Sequence, residues 1–351
     1  MLEQIINRIA PADLKAEKKA KERWDKIAKP LDGLGELEKA VSKIAGMTGD
    51  VDYRIDRRAV AVFCADNGVV AEGISQTGSE VTAIVAKNLC SCDTSVCKMA
   101  RVADAEVFPI DMGMNTVVKD DKMCFCHIAD GTQNMLHGQA MTREQAKAAL
   151  QYGAELAVKL SGDGYKLFAT GEMGIGNTTT SSAVASVLLE MPVETMTGRG
   201  AGLSSAGLLH KIEVIGRSID LNKPDKNDPV DVLAKVGGFD IAGMAGFFLG
   251  CASCRRPVVI DGFISGVAAL LASRICPYAR EYMLPSHLSN EPAARIVLKS
   301  LELSPFITAG LHLGEGTGAV ALFPMLDMAY AVYFGMRTFE DIKIDDYKPL
   351  D

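Results

Sequence analysis

The sequence has few aromatic residues and no surplus of positive charge. Aromatic residues make up 6% of the 351 residues, and the formal net charge is −7 at pH 7. A broad nucleic-acid surface needs clustered lysine and arginine, so this balance argues against one, although a local cationic pocket for one phosphate stays compatible with it. We therefore expect no nucleic-acid partner.

Signals for export and membrane insertion are also missing. Residues 1–24 alternate charged with apolar residues and lack the apolar core of a signal peptide. No uninterrupted apolar run approaches the roughly 20 residues that span a bilayer. The best candidate, residues 263–276, is short and contains serine and arginine, so we interpret it as a buried helix. We expect a cytoplasmic protein without a membrane partner.

The nine cysteines are an odd number, which fits a reducing compartment. Cys251 and Cys254 form a CxxC pair, and Cys124, Cys126 and His127 lie close together in the sequence. Neither group has the second half of a usual zinc site, so we interpret these cysteines as ordinary thiols and expect no metal. A regulatory protein built on thiols or zinc is the alternative.

Apolar runs that end in an acidic residue and glycine indicate the fold class. Strands buried on both faces form such continuous runs, and helical patterns follow them. Strands that alternate with helices predict an α/β fold, with a mostly parallel, Rossmann-like sheet covered by helices on both faces. Ligands of such sheets bind beyond the carboxyl ends of the strands. The four runs are residues 59–64, 105–110, 166–170 and 257–260.

The chain is too long for one typical core. Its first 50 residues have a helical pattern, broken at Lys29 and Pro30. We predict a small helical region over residues 1–50 and a large α/β catalytic domain over residues 51–319.

Residues 171–182 (GEMGIGNTTTSS) form the sharpest motif, followed by an apolar helix through Leu189. Glycines let amide groups point into one concavity, and a helix N-terminus and hydroxyl groups add donors, which suits a phosphate. The lysine of a nucleotide-binding P-loop is missing, which argues against a kinase. A tight turn before a well-capped helix is the alternative, although Glu172 inside the loop favours a site.

Two further candidates are Lys211 and Glu315. Lys211 lies about two turns into a helix that begins after a serine N-cap, from where it can reach a phosphate as a point charge. A solvated surface lysine is the alternative. Glu315 stands between Gly314 and Gly316 at the start of an apolar helix that runs through Tyr333. It is either a general base or a partner of the helix N-terminus.

Two further segments contain weaker candidates for site residues, one directly after the first predicted strand and one at residues 285–291. Asp66 and Glu72 are either site acids or parts of a turn. Residues 285–291 contain serine, histidine and glutamate, but the sequence has no nucleophile elbow, so we do not expect hydrolase chemistry.

Taken together, five motifs resemble those of the nicotinate-nucleotide:dimethylbenzimidazole phosphoribosyltransferases, which act in the cobalamin lower-ligand pathway. The resemblance extends from Lys29 to about Phe339. It implies a parallel α/β sheet, a homodimer and a small helical domain built from both chain ends, so that about residues 320–351 join residues 1–50. The motifs are residues 171–179, 235–240, 261–263, 285–287 and 313–318.

The resemblance also implies the reaction. The 5-phosphoribosyl group would pass from nicotinate mononucleotide to 5,6-dimethylbenzimidazole or a related base, with no cofactor. Glu315 corresponds to the family's catalytic base, and a carboxylate such as Glu172 would stabilise positive charge on the ribose. The implied phosphoribosyl-binding residues are Gly174, Gly176, Asn177, Thr178, Thr179, Lys211 and Gly316, and the implied base-binding residues are Asp66, Thr77, Val85 and Leu313.

Three departures from the family pattern bear on the acceptor and on activity. Asn67 stands where histidine is common, residues 31–35 (LDGLG) replace PGSLG, and Val85 stands where some members have glutamine. The alternatives are a phenolic or purine acceptor, or a non-catalytic subunit paired with a paralogue.

Overall fold

The computed structural model describes residues 1–200 and 202–347. Six strands form one sheet in the order β3-β2-β1-β4-β5-β6, and every neighbouring pair is parallel. The predicted α/β class is confirmed. The strands are β1 (Arg58–Ala65), β2 (Ala105–Gly113), β3 (Cys124–Phe125), β4 (Leu167–Met173), β5 (Val258–Ile260) and β6 (Met283–Pro285).

Helices connect the strands and cover the sheet. Short 3-10 turns lie at Gly68–Glu72, Pro277–Tyr282 and Glu340–Ile342. The α-helices are α1 (Leu2–Ile6), α2 (Leu14–Lys26), α3 (Glu36–Thr48), α4 (Glu80–Cys90), α5 (Ser95–Val102), α6 (Arg143–Gly162), α7 (Asn177–Leu189), α8 (Val193–Met196), α9 (Ser205–Asn222), α10 (Pro229–Val236), α11 (Phe239–Ser253), α12 (Phe263–Ile275), α13 (Ala294–Ser300) and α14 (Thr317–Gly335).

The core lies around β1 and α11. All eight residues of β1 are buried, as expected of a central strand in a sheet covered on both faces. Helices α6 and α11 pack closely because glycines face each other. A Cβ atom at Gly246 would lie 1.9 Å from the carbonyl oxygen of Leu150, and one at Gly153 would lie 1.9 Å from that of Gly243. No larger residue fits this contact.

The two chain ends are in contact. The Trp24 and Tyr333 rings lie 5.0 Å apart, and the amide of Phe339 donates to the carbonyl of Lys26 over 3.0 Å. These contacts are consistent with a small helical domain made of residues 1–50 and about 320–351. The division into that domain and residues 51–319 stays a prediction.

Among the residues that the structure describes, one helix is long and apolar enough to cross a membrane by length and composition alone. It is α14, half of whose most apolar stretch is buried in the protein, and core helices of water-soluble proteins meet the same criteria. The sequence expectation instead named residues 263–276, which form the shorter buried helix α12. The apolar run of α14 is not continuous in the sequence because Asp327 interrupts it. The Asp327 carboxylate pairs with Arg58 over 3.0 Å.

Candidate active site

A cavity of about 250 Å³ lies at the carboxyl ends of β4 and β5. The loops after these strands form its walls, together with the glycine-rich segment before α14 and residues 74–76 from the loop after β1. Parallel strands bring such loops to one edge of a sheet. The loop after β4 and the segment before α14, both predicted from the sequence, therefore meet at one cavity.

The loop between β4 and α7 depends on glycine for its shape. A Cβ atom at Gly174 would lie 2.6 Å from the carbonyl oxygen of Ala65, and Gly176 has a φ of +90°. Gly174, Gly176, Asn177 and Thr178 line the cavity. Thr179 does not; its side chain is fully buried, and its hydroxyl has no hydrogen-bond partner among the described residues.

Lys211 is a buried cation at this cavity and not a surface lysine. It extends from α9, which Ser204 caps as expected, and it is 1% exposed. Its Nζ donates to Oγ1 of Thr178 over 2.8 Å and to the carbonyl of Gly198 over 3.2 Å. Burial lowers the pKa of Lys211 to about 8, and the charge of Glu291 opposes this change. The ammonium group therefore keeps most of its charge at neutral pH.

Four carboxyl groups lie in and beside the cavity, and the charges of three of them act on the fourth, Glu172. They are Glu172 at the end of β4, Asp240 in the first turn of α11, Asp261 after β5, and Glu315. Burial raises the pKa of Glu172 to about 8, and the other three carboxylates add to the rise while Asn177 opposes it. Burial likewise raises the pKa values of Asp240 and Asp261 to about 6. A clustering of carboxylates was not expected from the sequence.

Glu315 does not cap α14. Its Oε2 accepts the amide of Val96 over 3.4 Å, and burial raises its pKa. The first turn of α14 is instead satisfied by Asp261, whose carboxylate accepts the amides of Gly316 over 3.2 Å and Ala319 over 3.0 Å. The Glu315 carboxylate therefore accepts an amide from the first turn of α5 and none from α14, and its roles as general base and as partner of a helix N-terminus both stay predictions.

Glu172 and the segment that carries Glu315 are in close contact. Gly314, with a φ of +93°, would place a Cβ atom 2.5 Å from Oε1 of Glu172. A Cβ atom at Gly171 would lie 2.3 Å from the carbonyl oxygen of Glu315. Glycine at both positions allows the two acidic segments to approach, and both side chains line the cavity.

The implied base-binding residues are spread more widely. Leu313 lines the cavity and is 57% exposed. Thr77, Val85 and Asp66 do not line it, and Oδ2 of Asp66 accepts the amide of Asn115 over 2.7 Å. Gly316 is not a lining residue either. The roles of these residues toward a bound base or donor stay predictions.

Glu72 and Asn67 also lie outside the lining of the cavity. Glu72 accepts a hydrogen bond from Asn134. Asn67 is buried, and its Nδ2 donates to the carbonyl of Ile175 over 3.4 Å. Asn67 therefore stabilises the glycine loop through a hydrogen bond to its backbone, outside the cavity lining.

Several cavity residues were not singled out as site residues from the sequence. Asp261 and His287 were in the quoted motifs, and Arg199 and Glu291 were in segments under discussion, so the signal for all four was present. Within residues 1–200 and 202–347, no group of three or more histidine, cysteine, aspartate or glutamate side chains is arranged to hold a metal ion. All nine cysteines are free.

Comparison with known proteins agrees with this fold and identifies the class of protein as an α/β phosphoribosyltransferase. A family model described as phosphoribosyltransferase matches residues 9–344. The nicotinate-nucleotide–dimethylbenzimidazole phosphoribosyltransferase of Ruminiclostridium cellulolyticum is 46% identical over 349 residues, which cover 99% of each chain. The enzyme of the same name from Clostridium acetobutylicum is 45% identical over 349 residues, which also cover 99% of each chain. The crystal structure of CobT from Thermus thermophilus superposes with a TM-score of 0.90 at 36% identity, covering 95% of this chain and 100% of the other. The chain belongs to the nicotinate-nucleotide:dimethylbenzimidazole phosphoribosyltransferase family.

Proposed function

We propose that the chain transfers the 5-phosphoribosyl group from nicotinate mononucleotide to 5,6-dimethylbenzimidazole or a related benzimidazole. The products are an α-riboside 5′-phosphate and nicotinate, and the reaction belongs to cobamide biosynthesis. The observation that carries the proposal is that a buried lysine, a glycine loop and the acids Glu172 and Glu315 all line the same cavity.

The donor phosphate is assigned to the Lys211 end of the cavity. The ammonium group of Lys211 supplies the charge, and Thr178 and the amides at the start of α7 supply donors. Gly174, Gly176, Asn177, Thr179 and Gly316 complete the proposed phosphoribosyl site. Binding of the phosphate by these groups would fix the ribose relative to the acceptor, and such positioning contributes strongly to catalysis.

The chemistry begins at a bond that is already polarised. Nicotinate is attached through a pyridinium nitrogen, and its departure leaves positive charge on the ribose ring, as in glycoside hydrolysis. We assign the stabilisation of this charge to Glu172, because a neighbouring cation favours the ionised form of a carboxyl group. The leaving group departs as neutral pyridine nitrogen, so the proposal includes no cofactor.

The acceptor nitrogen attacks the opposite face of the ribose, which converts a β-nucleotide into an α-product. The benzimidazole gains positive charge as the new bond forms, and Glu315 takes the proton from its other nitrogen. The raised pKa of Glu315 makes it a stronger base than a solvated glutamate.

The acceptor site is assigned to Leu313, Thr77, Val85 and Asp66. Leu313 is the member of this set that lines the cavity. We further propose a homodimer in the cytoplasm, with the oligomeric state measured by light scattering.

The test is a product assay on the purified chain alone. Nicotinate mononucleotide is supplied with benzimidazoles, adenine or phenols, and release of nicotinate is followed for each acceptor. Release that depends on a benzimidazole supports the proposal, and preference for adenine or a phenol would change the acceptor. Donor binding without product from any acceptor would favour a subunit that needs a paralogue.

A further inference from the structure

Asp240 is a buried carboxyl group beside the cavity that the proposed transfer does not use. It is fully buried and is not among the residues that line the cavity. Its Oδ1 accepts the amide of Ile241 over 2.9 Å, and its Oδ2 accepts Nδ2 of Asn177, also over 2.9 Å. Burying a carboxyl group costs free energy, which these two hydrogen bonds offset only in part. The burial of Asp240 beside the cavity therefore requires an explanation.

Asn177 connects Asp240 to the cavity. Its Nδ2 also donates to Oε2 of Glu172, so both hydrogens of the amide nitrogen are engaged. The amide oxygen would be repelled by the Asp240 carboxylate, so Asp240 fixes which way the amide points. No described residue donates to Oδ1 of Asn177, which leaves that acceptor available at the cavity lining.

The backbone is fitted closely around Asp240. A Cβ atom at Gly174 would lie 2.8 Å from its Oδ2, and one at Gly238 would lie 2.5 Å from its Oδ1. These glycines come from the loop after β4 and from the connection between α10 and α11. Both segments can close on the carboxyl group only because neither has a side chain there.

We propose that Asp240 is a positioning residue that orients the Asn177 amide by accepting its hydrogen bond, and whose negative charge keeps a proton on Glu172 while the cavity is empty. The inference deepens the proposed function and rests on it for the role of Glu172. Asp240 itself touches neither substrate.

The charges around the pair favour this distribution of the proton. Two carboxyl groups that share one amide cannot both ionise without repulsion. Asp240 has two donors and faces the carboxylate of Asp66, whereas Glu172 has Asn177 as its donor and faces Asp240, Asp261 and Glu315. The pKa of Glu172 is about 8 and that of Asp240 is about 6, so the proton is held more tightly by Glu172.

The arrangement has a consequence for donor binding. A neutral Glu172 removes one negative charge from a cavity that must admit a phosphate. When the pyridinium ring of the donor arrives, its positive charge favours loss of the proton to solvent, which leaves Glu172 ionised for the transfer.

The test is an infrared titration of the full chain without substrates. The carbonyl band of the protonated carboxyl group is followed from about pH 5 to about pH 10. The unchanged chain should lose a band with a midpoint near pH 8, and Glu172→Gln should lack that transition. Asp240→Asn keeps the size of the side chain but removes its charge, so the proton affinity of Glu172 should fall about tenfold, a shift of about one pH unit.

A second variant guards against a folding failure of the first. Asn177→Leu removes the hydrogen bond to the Glu172 carboxylate and should move the midpoint in the opposite direction, to higher pH. A midpoint that stays in place in Asp240→Asn, that falls in Asn177→Leu, or that survives in Glu172→Gln overturns the inference. The titration uses no substrate, so a chain that shows these shifts but makes no product would contradict only the proposed function.

Discussion

The ammonium nitrogen of Lys211 lies 2.8 Å from the hydroxyl oxygen of Thr178, although the two residues come from different helices. Lys211 belongs to α9 and Thr178 to the first turn of α7. Their meeting brings a buried cation to the glycine loop. The proposed phosphate site rests on this contact.

Replacing Lys211 by alanine should weaken donor binding. A hydrogen bond to a charged group contributes about 1.5–3 kcal/mol, so the KM for nicotinate mononucleotide should rise roughly 10- to 100-fold. Steady-state kinetics with varied donor measure the change. Arg217→Ala is the matched control, because Arg217 lies on the same helix with an exposed side chain. An unchanged KM in Lys211→Ala would remove the lysine from the phosphate site.

Donor capture should decline at alkaline pH. The pKa of Lys211 is about 8, below its usual range, so its ammonium group is charged below that pH and neutral above it. The kcat/KM for the donor should therefore fall as the pH rises through about 8. In Lys211→Arg the guanidinium stays charged, and the decline should move to higher pH.

Glu172 ionises in the same pH range, so it needs a separate control. Glu172→Gln lowers activity but should retain the alkaline decline if Lys211 causes it. A decline that disappears in Glu172→Gln and persists in Lys211→Arg would transfer the effect to Glu172.

Glu315→Gln should separate binding from chemistry. The variant keeps the shape of the side chain but cannot accept the acceptor's proton. General-base catalysis typically contributes about 10²–10⁴-fold, so kcat should fall by that amount. Donor affinity, measured by calorimetry, should stay within about twofold. Glu213→Gln, at an exposed position on α9, serves as the control. Full turnover in Glu315→Gln is incompatible with its role as the base.

The contact between Gly314 and Glu172 allows a test of site geometry. Gly314→Ala would place a methyl group 2.5 Å from Oε1 of Glu172 and should reduce kcat about 10- to 100-fold by displacing it. Both this variant and the control Gly164→Ala have a φ of +93° and should lose about 1–3 kcal/mol of stability. Gly164 precedes β4 at the other end of the strand. Equal activity of the two variants would show that Glu172 tolerates displacement.

Local patterns allowed much of the fold to be predicted. The apolar run at residues 59–64 lies within β1, and the predicted helix end at Leu189 is the observed end of α7. These elements depend on burial on both faces and on a glycine loop before a helix, which are visible in a short stretch of sequence. Strand β3 was missed because it has two residues, and β6 because its three residues end in proline, which is unfavourable inside a strand.

The candidate site was predictable only in part. The glycine loop and Glu315 became candidates because each stands in an unusual local setting, and the family resemblance favoured Lys211 over the alternative of a surface lysine. The convergence of Asp240 and Asp261 on Glu172 depends on strand order, which places distant segments side by side. The burial of Lys211 likewise follows from packing around its helix, and no neighbouring residue in the sequence reveals it.

The most direct test of the proposed transfer is the anomeric configuration of the product. Purified chain, nicotinate mononucleotide and 5,6-dimethylbenzimidazole are incubated together, and the product is examined by NMR spectroscopy. Attack on the face opposite the departing nicotinate predicts an α-riboside 5′-phosphate formed in equal amount to free nicotinate. A β-product, or nicotinate released without any riboside, would contradict direct transfer in this cavity.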